Sequence, residues 1–241
     1  MALLGSLALL VAASRVVAQD QATAAGLLEA AQEAHGGEAL RDMTTYRERG
    51  VVTVYGPSEE PVAQVLGVTL VDFDAPGYRD EVWSGEALLV VSQITPDGTV
   101  TWTPDTGALR LPSAQAEELR SSFYRGLFGL RWDERASAEL LGEAGFEGAE
   151  GHAVRVTTDG VETTYLLADD GRLLAQRYAS PSQGEVTVVY GDLRTVDGVA
   201  IPFLSDYFTE GRRFLRVELQ DAQPNAELAP DAFQLPDDAA P

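Results

Sequence analysis

Residues 77–103 read GYRDEVWSGEALLVVSQITPDGTVTWT, and this stretch decides the fold class. Three runs, 77–83, 86–95 and 98–103, are rich in Val, Leu, Ile, Trp and Thr and are separated by Ser-Gly and Pro-Asp-Gly turns. Connections that short join antiparallel neighbours, because parallel strands need a crossover of about a dozen residues or more. The pattern is a meander.

Working outward, the same pattern continues on both sides. Strands are predicted at 45–55 and 61–74 before the stretch. After it they fall at 137–144, 151–158, 161–168, 172–180, 185–194, 200–209 and 212–222, punctuated by DDG, SQG, VDG and TEG. A long meander must close, curl or be covered, since its edges and one apolar face cannot both stay bare. The expected class is therefore mainly β (α+β): a single curved antiparallel sheet, an unclosed β-barrel of about eleven strands. Helices near 22–35, stopped by Gly36-Gly37, and near 113–128, capped by Ser113, are expected on its concave side. Nothing resembling a linker divides residues 19–236, which read as one domain, and the tail 237–241 is expected to fray.

The chain of 241 residues carries a net charge of −21, and all 17 basic residues are Arg. Nucleic acids and anionic membranes are bound by clustered cations, so neither is an expected partner. With no Cys, disulfides, thiolate metal sites, a Cys nucleophile and a lipidated N-terminal Cys are excluded. Residues 1–18, MALLGSLALLVAASRVVA, read as a signal peptide cleaved near Ala18, which predicts a periplasmic mature chain.

Catalytic signals are sparse. His35 precedes a helix stop, His152 follows a turn, and neither sits in a metal-binding spacing. Asp72 and Asp74 share a strand face by period two but read as a solvated strand end. Asp169-Asp170-Gly171 and Asp197-Gly198 read as hairpin turns. Arg79 and Arg177 lie inside strands. No enzyme activity, cofactor or metal is expected.

The segment SSFYRGLFGL, 121–130, is anomalous in so β-rich a chain. At about 100° per residue, Leu119, Phe123, Leu127 and Leu130 fall within roughly 80° of one another, a core stripe. Tyr124 and Phe128 widen the apolar arc, and Gly126 and Gly129 weaken a helix by up to about 1 kcal/mol each. Two readings stay open here: a fixed core helix, or a mobile lid over a cavity.

Three stretches resemble the LolA/LolB-like outer-membrane lipoprotein-sorting proteins. They are AQEAHGGEALRDMTTYRERGVVTV (31–54), APGYRDEVWSGEALLVVSQITPDGTVTWTPDTGALRLP (75–112) and VVYGDLRTVDGVAIPFLSDYFTEGRRFLRVEL (188–219). The likeness runs over about residues 24–235 and rests on their order and spacing. It implies an incomplete barrel whose apolar interior, capped by helices, receives lipid or lipoprotein acyl chains. Its partners would be an inner-membrane loading complex and an outer-membrane acceptor. Such carriers place an Arg before the Pro of a Pro-led strand, where it bonds to the lid. Here that position is Ala75, before Pro76, which leaves Arg79 as the candidate latch.

Burying a methylene stabilises by about 0.8 kcal/mol, so a sixteen-carbon chain is worth on the order of 12 kcal/mol, and a carrier needs a deep apolar lining. The candidates are Val68, Leu70, Val90, Trp102, Leu166, Leu174, Phe203 and Tyr207 on strands, with Leu119, Phe123 and Leu127 in the lid. A one-residue register error reverses each strand assignment. The competing readings are an accessory envelope protein whose barrel is filled by its own side chains, and a hydrolase built on a carboxylate pair.

Overall fold

A computed structural model describes residues 23–95, 98–131 and 137–236. The expected signal peptide and the tail 237–241 lie outside the described residues. Thirteen strands form one antiparallel sheet in the order β6-β5-β4-β3-β2-β1-β13-β12-β11-β10-β9-β8-β7. In chain order these are β1 (Thr45–Tyr55), β2 (Pro61–Asp72), β3 (Gly77–Ser84), β4 (Ala87–Thr95), β5 (Gly98–Thr103) and β6 (Gly107–Arg110), then β7 (Ser137–Phe146), β8 (Ala149–Thr158), β9 (Val161–Leu167), β10 (Leu173–Ser180), β11 (Gly184–Val196), β12 (Val199–Thr209) and β13 (Arg212–Pro224). The expected count of about eleven is low chiefly because β6 hides in the loop TPDTGALRLPS, where too few residues alternate to signal a strand.

The order explains the helices. The chain starts mid-sheet at β1, walks outward to the β6 edge, and must then reach β7 at the opposite edge before walking back to pair β13 with β1. The connection between the two edges therefore crosses a face of the sheet. It carries α3 (Ser113–Ser121), a single 3-10 turn (Ser122–Tyr124) and α4 (Gly126–Leu130). The helix expected over 113–128 is thus broken: Arg125 is extended (φ −119°, ψ 161°) and Gly126 has φ +56°.

The sheet curls around this crossover. Phe123 packs edge-on against Phe73 at the end of β2 and Tyr78 of β3, with ring centroids 6.2 and 5.7 Å apart. One residue on, the Tyr124 carbonyl accepts a hydrogen bond from Tyr165 of β9 at 3.3 Å. Six strands separate β3 from β9 in the sheet, which would hold them about 34 Å apart if it were flat. The sheet does not close, since β6 and β7 each keep one neighbour.

Beside the crossover lie α1 (Ala24–Ala34) and α2 (Glu38–Arg41). Leu27, Leu28 and Ala31 of α1 join Leu40, Met43, Val71, Val154 and Leu130 in one core. His35, expected to serve the helix end, does more: it is wholly buried. Its Nδ1 donates to the Ala200 carbonyl at 2.6 Å and its Nε2 accepts from the Leu173 amide at 3.0 Å. One neutral imidazole thereby ties α1 to β12 and to the start of β10, and burial lowers its pKa. His152 pairs with Asp169 at 2.9 Å near the surface, and Asp72 caps the turn amides of Asp74 and Ala75, as its strand-end reading expected.

Candidate functional site: a cavity beneath the crossover

Between the crossover and the sheet lies a cavity of about 310 Å³. Its floor comes from period two in two similar pentapeptides, Thr45-Tyr-Arg-Glu-Arg49 and Gly77-Tyr-Arg-Asp-Glu81. In each, the Tyr and the following acid, Glu48 or Asp80, face the helices, while Arg47, Arg49, Arg79 and Glu81 take the other face. Register then brings the acids together: Glu48 pairs with Thr69, and Thr69 with Asp80. Tyr46 donates to Glu48 Oε2 at 2.8 Å and Thr69 donates to Asp80 Oδ1 at 2.7 Å. Sequence reasoning missed this pair; the repeated Tyr-Arg-acid was the available signal.

Burial sets the electrostatics of the floor. Desolvation pushes the Glu48 carboxyl up to about 7, and the neighbouring Asp80 charge adds to it. Asp80 is itself pushed up to about 6 by burial, against hydrogen bonds from Thr69 and Tyr78. Tyr178, Tyr190 and Tyr207 complete the walls with Gln176 and Ser205, and burial raises all three phenols, keeping them neutral. The apolar contribution comes from Leu127, Phe128, Ile201, Val217 and Leu219. The interior, expected to be apolar, is instead lined by polar and apolar groups together.

The roof is held from several directions. Gln176 Oε1 accepts from the Gly126 amide at 2.6 Å, and a Cβ on Gly126 would sit 2.8 Å from the Tyr190 hydroxyl. A Cβ on Gly129 would overlap the Tyr165 hydroxyl and the Tyr124 carbonyl. Both glycines therefore permit close approach to the sheet, which the sequence reading had taken only as weakness. Arg125 lies 3.8 Å over the Tyr178 ring, donates to the Ala179 carbonyl at 3.2 Å and pairs with Glu118 at 3.3 Å. Glu118 in turn accepts from Ser180 at 2.6 Å. At the far end Gln32 donates to the Leu130 carbonyl at 2.8 Å, and Arg131 to that of Met43 at 2.6 Å.

Of the residues expected to line an interior, the cavity brings together Leu127 and Tyr207. Phe123 and Phe203 belong to the surrounding core, with Leu119 packed against it. Val90 shares the helix-covered face through its pairing with Val82 but lies away from the cavity. Val68 and Leu70 pair with Arg49 and Arg47 and so take the opposite face. Trp102 packs with Val91 and Leu235, and Leu166 and Leu174 with Phe146 and Ala175, in separate clusters on that opposite face. These are the one-residue errors that alternation allows.

Arg79 is no lid latch in this geometry. It too lies on the opposite face, where it pairs with Glu81 at 2.7 Å and donates to Gln93 at 2.9 Å and to the Gln234 carbonyl at 2.7 Å. It fastens the C-terminal segment, while Arg125 and Arg131, on the crossover itself, fasten the roof.

No protein-family model matches the chain, and no curated protein does. Solved structures do. A LolA superfamily protein from Nitrosomonas europaea superposes with a TM-score of 0.61 at 12% identity, covering 89% of this chain and 98% of that one. The fold is LolA-like. This LolA-like arrangement extends to a DUF1329 family protein from Desulfovibrio piger, with TM-score 0.60, 10% identity, and 88% and 97% coverage. It also extends to an outer membrane lipoprotein-sorting protein domain from Vibrio parahaemolyticus, with TM-score 0.59, 13% identity, and 88% and 97% coverage. At these identities the shared property is the half-barrel with its helical cover.

Proposed function

We propose that this protein is a non-catalytic periplasmic carrier that holds lipid, or the acyl chains of lipoproteins, between its sheet and the crossover. The observation that carries this reading is the cavity of about 310 Å³ under a broken helix, in a LolA-like fold. That volume is at the small end of ligand sites, which span about 300–1,000 Å³. Accommodating a long acyl chain requires the crossover to move outward, and the extended Arg125 followed by Gly126 at positive φ is the natural pivot. On this reading residues 1–18 are a leader removed near Ala18, and residues 19–236 act as one lipid-binding domain. Cargo is received from an inner-membrane complex and passed to an outer-membrane acceptor.

Native mass spectrometry of the protein from its own envelope, with titration of a fluorescent acyl probe, tests the proposal. Co-purified lipid and saturable probe binding are expected. Protein that is bare and refuses the probe at micromolar concentration overturns it. That outcome would favour the second reading, an accessory envelope protein filled by its own side chains, for which the burial of Phe123 and Leu130 speaks.

A further inference from the structure

The floor of the cavity poses a problem in charge balance. Four charged residues line it: Glu48, Asp80, Glu118 and Arg125. Arg125 is committed to Glu118, to the Ala179 carbonyl and to the Tyr178 ring. The cations nearest in sequence to the two floor acids, Arg47, Arg49 and Arg79, are turned to the other side of the sheet by alternation. Hydroxyls of Tyr46 and Thr69 reach the acids, but no cation pairs with either among the described residues. Both acids are half-buried, and carboxylates withdrawn from water are normally paired, because taking a charge out of water is costly. A pair kept only for structure would have no need of empty space beside it.

A second feature is independent of the acids. Tyr46, Tyr78, Tyr178, Tyr190 and Tyr207 all line the same cavity, contributed by five different strands. Aromatic rings attract ammonium groups through their quadrupoles, and rings gathered around a pocket are a known solution for such heads. Carboxylates and tyrosines converge on one kind of guest.

We propose that Glu48, Asp80 and the tyrosine wall form a recognition site for an alkylammonium head group, whose chain lies along Leu127, Phe128 and Leu219. This deepens the carrier reading and rests on it: the ligand is an amphiphile with a positively charged amine, favoured over neutral or anionic amphiphiles of equal length. The ionised acids bind the head most strongly, and with the carboxyls raised to about 7 and about 6 the preference is expected to strengthen from pH 5 to pH 8. The Glu118–Arg125 pair in the roof faces the same space and adds no net charge.

The test is calorimetric titration of the whole protein at pH 8, below micelle concentrations, with dodecylamine, dodecyltrimethylammonium, dodecanol and dodecanoate, and with 1,4-diaminobutane as a chainless amine. The amine amphiphiles are expected to bind at least about tenfold more tightly than the alcohol, a difference of about 1.4 kcal/mol. Glu48→Gln and Asp80→Asn should each erase most of that preference while leaving dodecanol binding unchanged. Asp169→Asn, an exposed acid remote from the cavity, should erase none of it, which separates the site from general attraction to a chain of net charge −21. The comparison among ligands on the unmodified protein stands even if a floor variant fails to fold. Equal binding of all four amphiphiles, or preference for dodecanoate, overturns the amine assignment and leaves the carrier reading intact. Binding of none removes both. Diaminobutane binding as tightly as dodecylamine overturns the amphiphile in favour of a soluble amine.

Discussion

The helix-covered face of the sheet has two halves that are built differently. Toward α1 it is dry: Leu40, Met43, Val71, Leu130 and Val154 are entirely buried, and the His35 imidazole among them is neutral with both ring nitrogens bonded. Beneath the bend at 125–126 it holds a void, the carboxylates of Glu48 and Asp80 and five tyrosines. The same crossover roofs both halves. Its hydrophobic residues Phe123 and Leu130 seal the first, while its glycine-permitted bend at 125–126 spans the second. Close packing is thus concentrated at one end of the face and empty space at the other.

The contrast can be broken by substitution, and Phe123→Ala is the harshest trial. Phe123 is 7% exposed and packs on Phe73 and Tyr78, so chemical denaturation should register a loss of about 3–5 kcal/mol. A loss below about 1 kcal/mol would make the whole crossover a loose lid and abolish the distinction between the halves. His35→Ala comes next. It leaves the Leu173 amide and the Ala200 carbonyl without partners, at a cost of about 2–4 kcal/mol in urea denaturation at pH 7.5.

Acid should separate the two halves because their titrations run in opposite directions. His35 has a lowered native pKa, so its contribution is present above 6.5 and is lost as pH falls below that value. Glu48 has a native value of about 7 against an ordinary 4.5. The folded state therefore holds the proton more tightly, and the stability Glu48 contributes is present below 4.5 and lost as pH rises through 7. Glu48→Gln should accordingly stabilise the protein at pH 8 by about 3 kcal/mol, with little effect at pH 4. Thermal melts across that range check it, and a destabilised variant at pH 8 would mean an undetected cation sits on the floor.

The smallest expected effects sharpen the boundary. Tyr165→Phe, in the dry half, removes the hydrogen bond to the Tyr124 carbonyl and should cost about 1 kcal/mol. Tyr207→Phe, whose side chain lines the cavity, should cost no more than about 0.5 kcal/mol. Equal costs in paired denaturation curves would mean that both hydroxyls are equally committed.

Much of this architecture was legible in the sequence. The alternation in VTLVDFD and YRDEVW, and the Gly-containing turns between runs, specify antiparallel neighbours locally, and the strands lie within a few residues of expectation. The site was far less legible. Leu70 and Val71 are equally apolar, yet Val71 is wholly buried in the core while Leu70 pairs with Arg47 on the other face. The roof's helix was read as continuous because periodicity is blind to a single extended residue. Only Gln176 and Tyr190, far along the chain, show why Gly126 must turn there.

By itself the sequence determined the strands, the turns, the single antiparallel sheet, the absence of cysteine chemistry and the strong negative charge, since each is a property of neighbouring residues or of their sum. Tertiary structure alone decided that β6 and β7 are opposite edges, that the crossover must therefore span a face, that Glu48 and Asp80 lie beside each other across Thr69, and that Arg125 rather than Arg79 fastens the roof. The reason is register. A strand's alternation repeats every two residues, so its pattern fits either face equally well until pairing with partners distant in the chain fixes which side chains look inward.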